Sequence, residues 1–120
     1  MAPVELHSNA EALELARKCS AAMPDEPFIR NTLGMACYRN ARYPEAEQLL
    51  LKNLDTSEKT ALTLDLIMLS MIAEQQHQSA ASQSFFTWAQ QNYADHLPDN
   101  ELHRVEIQQL FEECRSIAAQ

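Results

Sequence analysis

Glycine is nearly absent, with Gly34 the single example in 120 residues. Loops that cradle a phosphate need several glycines to bring backbone N–H groups against the anion, so no P-loop, dinucleotide fingerprint or nucleophile elbow can be written in this chain. Basic residues are also scarce, nine against seventeen acidic ones, for a net charge of −8. That balance repels phosphate backbones and anionic lipid, which argues against nucleic acid and membrane surfaces as partners. The three cysteines, Cys19, Cys37 and Cys114, are odd in number and lack C-x-x-C spacing. Neither a disulfide framework nor a zinc site is indicated, and a reducing cytoplasm is the expected setting. His7, His77, His96 and His103 form no H-E-x-x-H or i,i+4 pair, so no metal is expected. Long apolar runs are missing as well: the stretch 61–73 is interrupted by Thr63, Asp65 and Ser70 and is too short to cross a bilayer. Residues 1–7 have neither a basic start nor an apolar core, so no secretory signal is expected.

What is present is helix-forming. The chain is rich in Ala, Leu, Glu, Gln and Met, and no segment alternates as a strand. Ser8 with Glu11 reads as a capping box, opening a helix over 8–22 that Pro24-Asp25-Glu26-Pro27 stops. A second helix is expected over 27–40. A third follows over 43–54, with Pro44 in its first turn, where a missing donor costs nothing, and Asp55-Thr56-Ser57 as its break. Further helices are expected over 58–75, 80–92 and 99–117, separated by His77-Gln78-Ser79 and by the loop from Asp95 to Asp99. Six helices joined by short connections describe an all-α domain of antiparallel neighbours.

Self-comparison adds a period. Leu33-Gly34 recurs as Leu69-Ser70, 36 residues later, and Ala12, Ala46 and Ser82 occupy matching places in helices one, three and five. Small residues facing each other across a helix pair allow close backbone approach. The expected pairs are Gly34 with Ala46 and Ser70 with Ser82.

With those residues in place, the chain resembles the tetratricopeptide repeat family. Leu33-Gly34, Tyr38, Tyr43 and Glu45-Ala46 look like that family's Leu-Gly…Tyr…Tyr-x-Glu-Ala core, with Pro24 as the proline closing the preceding unit. The second unit is a weaker match: Ser70 replaces Gly, Phe86 fills the large aromatic slot and Ala89 keeps the later small one. Arg30 stands where the family prefers Trp, Cys37 where it prefers Tyr and Asn53 where it prefers Ala. The resemblance implies a right-handed α-solenoid of stacked helix hairpins: a half repeat over 8–22, repeats over 27–55 and 58–92, and a capping helix over 99–117. It is also similar to repeat tails of bacterial multidomain proteins.

Members of that family commonly bind an extended peptide or helix in the groove lined by the first helix of each pair. The corresponding faces here carry Phe28, Asn31, Met35, Tyr38 and Arg39 on helix two, and Leu64, Ile67 and Met71 on helix four. Adaptable methionines beside aromatics suit an apolar partner. The expected function is therefore a non-catalytic scaffold or interaction module for a protein or peptide, with no cofactor. Nothing supplies a nucleophile with a base, so no enzymatic activity is expected. Helix six or a second copy of the chain could instead cover the groove face. Helix four is apolar on nearly every side from Leu62 to Ala73, which implies either burial all round or an exposed face, and the latter would favour a homodimer. Eight acids against Arg104 and Arg115 in residues 61–120 oppose pairing two C-terminal halves.

Overall fold

The computed structural model describes residues 8–55 and 58–119; the expected absence of a signal in 1–7, His7 and the break at Thr56-Ser57 lie outside the described residues. Within them the chain forms α1 (Asn9–Ala22), α2 (Pro27–Arg39), α3 (Tyr43–Asn53), α4 (Lys59–Gln75), α5 (Ser79–Asp95) and α6 (Glu101–Ala118). No strand occurs among the described residues. Most starts follow from local chemistry. The Ser8 hydroxyl accepts from the Glu11 N–H at 3.1 Å, and the Glu58 carboxylate accepts from the Ala61 N–H at 2.8 Å. The Asn100 side chain accepts from the Leu102 N–H at 2.7 Å. Pro27 and Pro44 sit in first turns, as their missing donors allow. Helix α5 extends to Asp95, three residues beyond the expected end, because nothing in Tyr93-Ala94-Asp95 breaks it before His96.

The α2–α3 and α4–α5 hairpins turn in the same way, 36 residues apart. Ala41 and His77 both take positive φ, 59° and 60°. At the first turn the Ala41 N–H donates to Tyr38 O (3.0 Å) and the Arg42 N–H to Cys37 O (2.8 Å). At the second, His77 donates to Glu74 O (3.1 Å) and Gln78 to Ala73 O (2.8 Å). Both are complete Schellman closures, built without the glycine that usually occupies the left-handed position. A second recurrence ties the open ends of the hairpins. Asn53 Nδ2 donates to the carbonyl of Pro27, first residue of α2, at 2.8 Å, and Asn92 Nδ2 to that of Lys59, first residue of α4, at 2.7 Å. The fold is therefore an all-helical, repeat-like arrangement.

Helix α4 is the hub. It packs against α2, α3, α5 and α6, while α1 packs on α2 and α2 on α3. Leu62, Leu66, Ile67, Met68, Leu69, Met71, Ile72 and Ala73 are all buried, so the apolar circumference of α4 is covered within the chain except at half-buried Leu64. The small-residue pairs behave differently from each other. Ser70 Oγ donates to the Ser82 carbonyl at 2.8 Å, as a close α4–α5 approach requires. Above Gly34, the side chain that closes in is Leu50 rather than Ala46: a Cβ added at Gly34 would lie 2.9 Å from Leu50 Cδ2.

Helix α6 folds back over α4, and the three principal dimensions, 34, 31 and 29 Å, are almost equal. Its apolar stripe at three- and four-residue spacing buries Ile107, Phe111 and Cys114. The Phe111 ring meets Phe86 and Tyr93 of α5 edge-on, at 5.5 and 5.8 Å between centroids. Arg104 donates to the Pro98 carbonyl at 3.0 Å and fixes the bend before α6.

Candidate functional site

The candidate site is a cleft between α2 and α6 with α4 as its floor. Two adjoining hollows of about 430 Å³ each compose it, and Phe28, Leu64 and Glu106 border both. One runs past Ala61 and Ile107 towards Pro98 and His103. The other runs past Met35, Met68 and Leu110 towards Arg39. Phe28 is 62% exposed on the first turn of α2, where the Pro24–Pro27 turn starts the helix with that ring outside the core. That ring lies in water beside a hollow lined by Met35, Leu64, Met68 and Leu110.

Two polar arrangements hold the walls. At one end the Arg39 guanidinium grips the Glu113 carboxylate through both nitrogens, strapping α2 to α6. The hydrogen bond from Arg39 pulls Glu113 below the usual carboxylate range, against a smaller opposing effect of burial. Beneath the cleft, fully buried Asp65 accepts from Asn31 Nδ2 at 2.6 Å and, more weakly, from Asn53 Nδ2 at 3.5 Å. Asn53 Oδ1 accepts in turn from Arg30 Nε at 2.7 Å. This network joins α2, α3 and α4, and among the described residues no buried side-chain nitrogen or oxygen lacks a partner. The cleft wall is thus positioned by satisfied polar groups and not by packing alone.

The groove face read from the sequence divides here. Phe28, Asn31, Met35, Arg39 and Leu64 line the cleft. Tyr38, Ile67 and Met71 do not. Ile67 and Met71 are fully buried, and the Tyr38 ring packs against Tyr43 at 5.7 Å between centroids, its hydroxyl pKa raised chiefly by burial. The physical reason is α6. It occupies part of the face that the first helices of successive pairs would otherwise present, and leaves open only the strip beside α2. Residues that the sequence reading passed over, Met68, Glu106, Ile107 and Leu110, complete the cleft. A signal for the α6 wall was there: 107, 110, 111, 114 and 117 are apolar at helical spacing, so α6 had a face to bury.

The remaining chemistry is quiet. Burial pushes the Cys37 thiol up to about 11 and raises that of Cys114 as well, so neither forms a thiolate readily. Among the described residues no group of three or more His, Cys, Asp or Glu is placed to hold a metal, and no helix is long and apolar enough to cross a membrane. Compared with known proteins, the chain matches no family model, no curated protein and no solved structure.

Proposed function

We propose that this chain is a non-catalytic interaction module, similar to a tetratricopeptide repeat array, that binds an apolar peptide or helix in the α2–α6 cleft. The observation that carries the reading is the solvent-exposed Phe28 ring beside a preformed hollow floored by Leu64 and Met68. Helix-in-groove recognition asks for such a trough with anchors at helical spacing. The packing of α6, which lays its own amphipathic face on α4, supports the reading that an amphipathic helix suits this hub. The 36-residue recurrence of the Schellman turns supports the repeat assignment, and three unpaired thiols fit a reducing cytoplasm. A bacterial multidomain parent is part of the same proposal and rests on the sequence resemblance alone.

The test is a peptide-library screen against the purified chain, followed by Phe28→Ala and Leu64→Glu. Phe28 is exposed and Leu64 only half-buried, so both variants should keep the helical circular dichroism of the parent. Charge insertion at Ile67 or Met71 would unfold α4 and test nothing about the groove. Binding that survives both cleft substitutions refutes the proposal.

Self-association is the second reading. Its basis is no longer α4, which is covered, but Leu97, Leu102 and Val105, exposed at 57, 65 and 42% around the start of α6. Light scattering after size exclusion decides it, with Leu102→Glu expected to dissociate any dimer built on that patch.

A further inference from the structure

Resting on the reading of the cleft as a docking groove, we infer that its occupant is a cationic amphipathic helix, whose arginine or lysine side chains meet an acidic rim while its apolar face enters the hollows. Three carboxylates border the cleft, Glu58 and Asp99 at the end towards Pro98 and Glu106 where the two hollows meet. Among the described residues the one arginine or lysine bordering it, Arg39, is committed to Glu113 at the opposite end. Glu58 and Asp99 lie next to the N-termini of α4 and α6, whose backbone N–H groups offset part of their charge. Glu106 lies mid-helix, exposed and without that compensation, on the wall shared by both hollows.

Phe28 borders the same shared stretch from α2. A guanidinium set between the Glu106 carboxylate and the Phe28 ring would gain a charge-assisted hydrogen bond and a cation–π contact together. Apolar side chains one helical turn to either side would then drop into the two hollows, past Ile107 and past Met35. The net charge of −8 adds long-range attraction for such a segment. The same charge disfavours a second copy of this chain as occupant.

The experiment uses the full chain and three synthetic helical peptides that share one leucine stripe and differ only at their other positions, which are Lys/Arg-rich, Gln-rich or Glu-rich. Fluorescence anisotropy at neutral pH and low salt should rank them in that order, the Lys/Arg peptide binding about tenfold tighter than the Gln peptide, with the margin narrowing as salt screens it. Glu106→Gln should shrink that margin, while Gln48→Lys, an equal change of charge on exposed α3, should leave it nearly intact. Equal affinity for the Lys/Arg and Gln peptides, or equal effects of Glu106→Gln and Gln48→Lys, overturns the inference. If in that case the Gln peptide still binds and Phe28→Ala still weakens it, the groove reading stands alone. Failure of all three peptides to bind removes both. Dimerisation of the free chain that Phe28→Ala abolishes would make a second copy the occupant and overturn the cationic partner.

Discussion

Gly34→Ala adds one methyl group at the most constrained point of the α2–α3 hairpin. The new Cβ would lie 2.9 Å from Leu50 Cδ2, 3.0 Å from Cγ and 3.5 Å from Cδ1. Leu50 has no exposed surface into which to withdraw. Overpacking of a filled core costs about 1 to 3 kcal/mol, and replacing a mid-helix glycine by alanine returns roughly 0.5 to 1. The expected net effect is a loss of about 1 kcal/mol, or about 4 °C in Tm for a domain of this size. Gly34→Leu should cost more, on the order of 2 to 4 kcal/mol, because α2 and α3 must separate. A double-mutant cycle makes the reasoning specific. Leu50→Ala alone should cost about 2 to 5 kcal/mol through its cavity. In that background the methyl group added at position 34 fills part of the space, so Gly34→Ala should turn from destabilising to stabilising. Urea unfolding of the four proteins reads the coupling directly. Stabilisation by Gly34→Ala in the parent, or additivity of the two changes, refutes the close-approach argument.

Ala41→Gly and His77→Gly should each stabilise by about 0.5 to 1 kcal/mol, since both residues hold a left-handed conformation that glycine adopts freely; unchanged denaturation midpoints would contradict this. Asn53→Leu should cost about 2 kcal/mol, because the Pro27 carbonyl and the Arg30 guanidinium each lose a partly buried hydrogen bond, and urea titration measures it. Arg17 and Arg39 hold Glu45 and Glu113 below the usual carboxylate range, so their contribution is fully present above the unfolded value of about 4.3 and is lost as pH falls through the lower folded values. Arg39→Gln should therefore flatten the acid limb of a stability-against-pH curve. At the alkaline end the buried Cys37 thiol is pushed up to about 11, so stability should decline from about pH 9 upward, and Cys37→Ala should make that slope shallower, leaving the part due to Cys114 and Tyr38, which burial also raises.

The helices were legible because their punctuation is local. Prolines at 24, 27, 44 and 98, the Ser8 cap and the polar breaks between apolar stretches act within a turn of where they stand, and helix boundaries follow from such short-range chemistry. Ser70 and Ser82 could be paired from the period alone, since both are small residues on adjacent helices. The course of α6 was harder to read. Its stripe at 107, 111 and 114 says that one face is buried, but not against what. The choice between capping the end of a stack and folding back across α4 is made by the Pro98 bend, the Arg104 bond to its carbonyl and the Arg39–Glu113 strap, the last spanning 74 residues of sequence. Because α6 takes up part of the expected groove, Ile67 and Met71 went from groove to core, and Glu106 came from an apparently solvated face to the middle of the cleft.

The two polar residues that fit the tetratricopeptide resemblance least, at positions 30 and 53, belong to one arrangement. Arg30 and Asn53, each an anomaly in its own helix, are hydrogen-bonded to each other at 2.7 Å. Asn53 also donates to the Pro27 carbonyl and points towards Asp65, which Asn31 binds at 2.6 Å. A polar substitution at one of these sites would leave a buried donor or acceptor stranded, whereas the set satisfies itself. Arg30→Trp or Asn53→Ala singly should therefore destabilise the chain, and urea titration measures the loss. The double change to Trp and Ala also takes the Asn53 amide away from the buried Asp65 carboxylate, so it should not recover the stability of the parent. These polar bonds, from Arg30 to Asn53, from Asn31 to Asp65 and from Asn53 towards Asp65, join α2, α3 and α4 beneath the cleft.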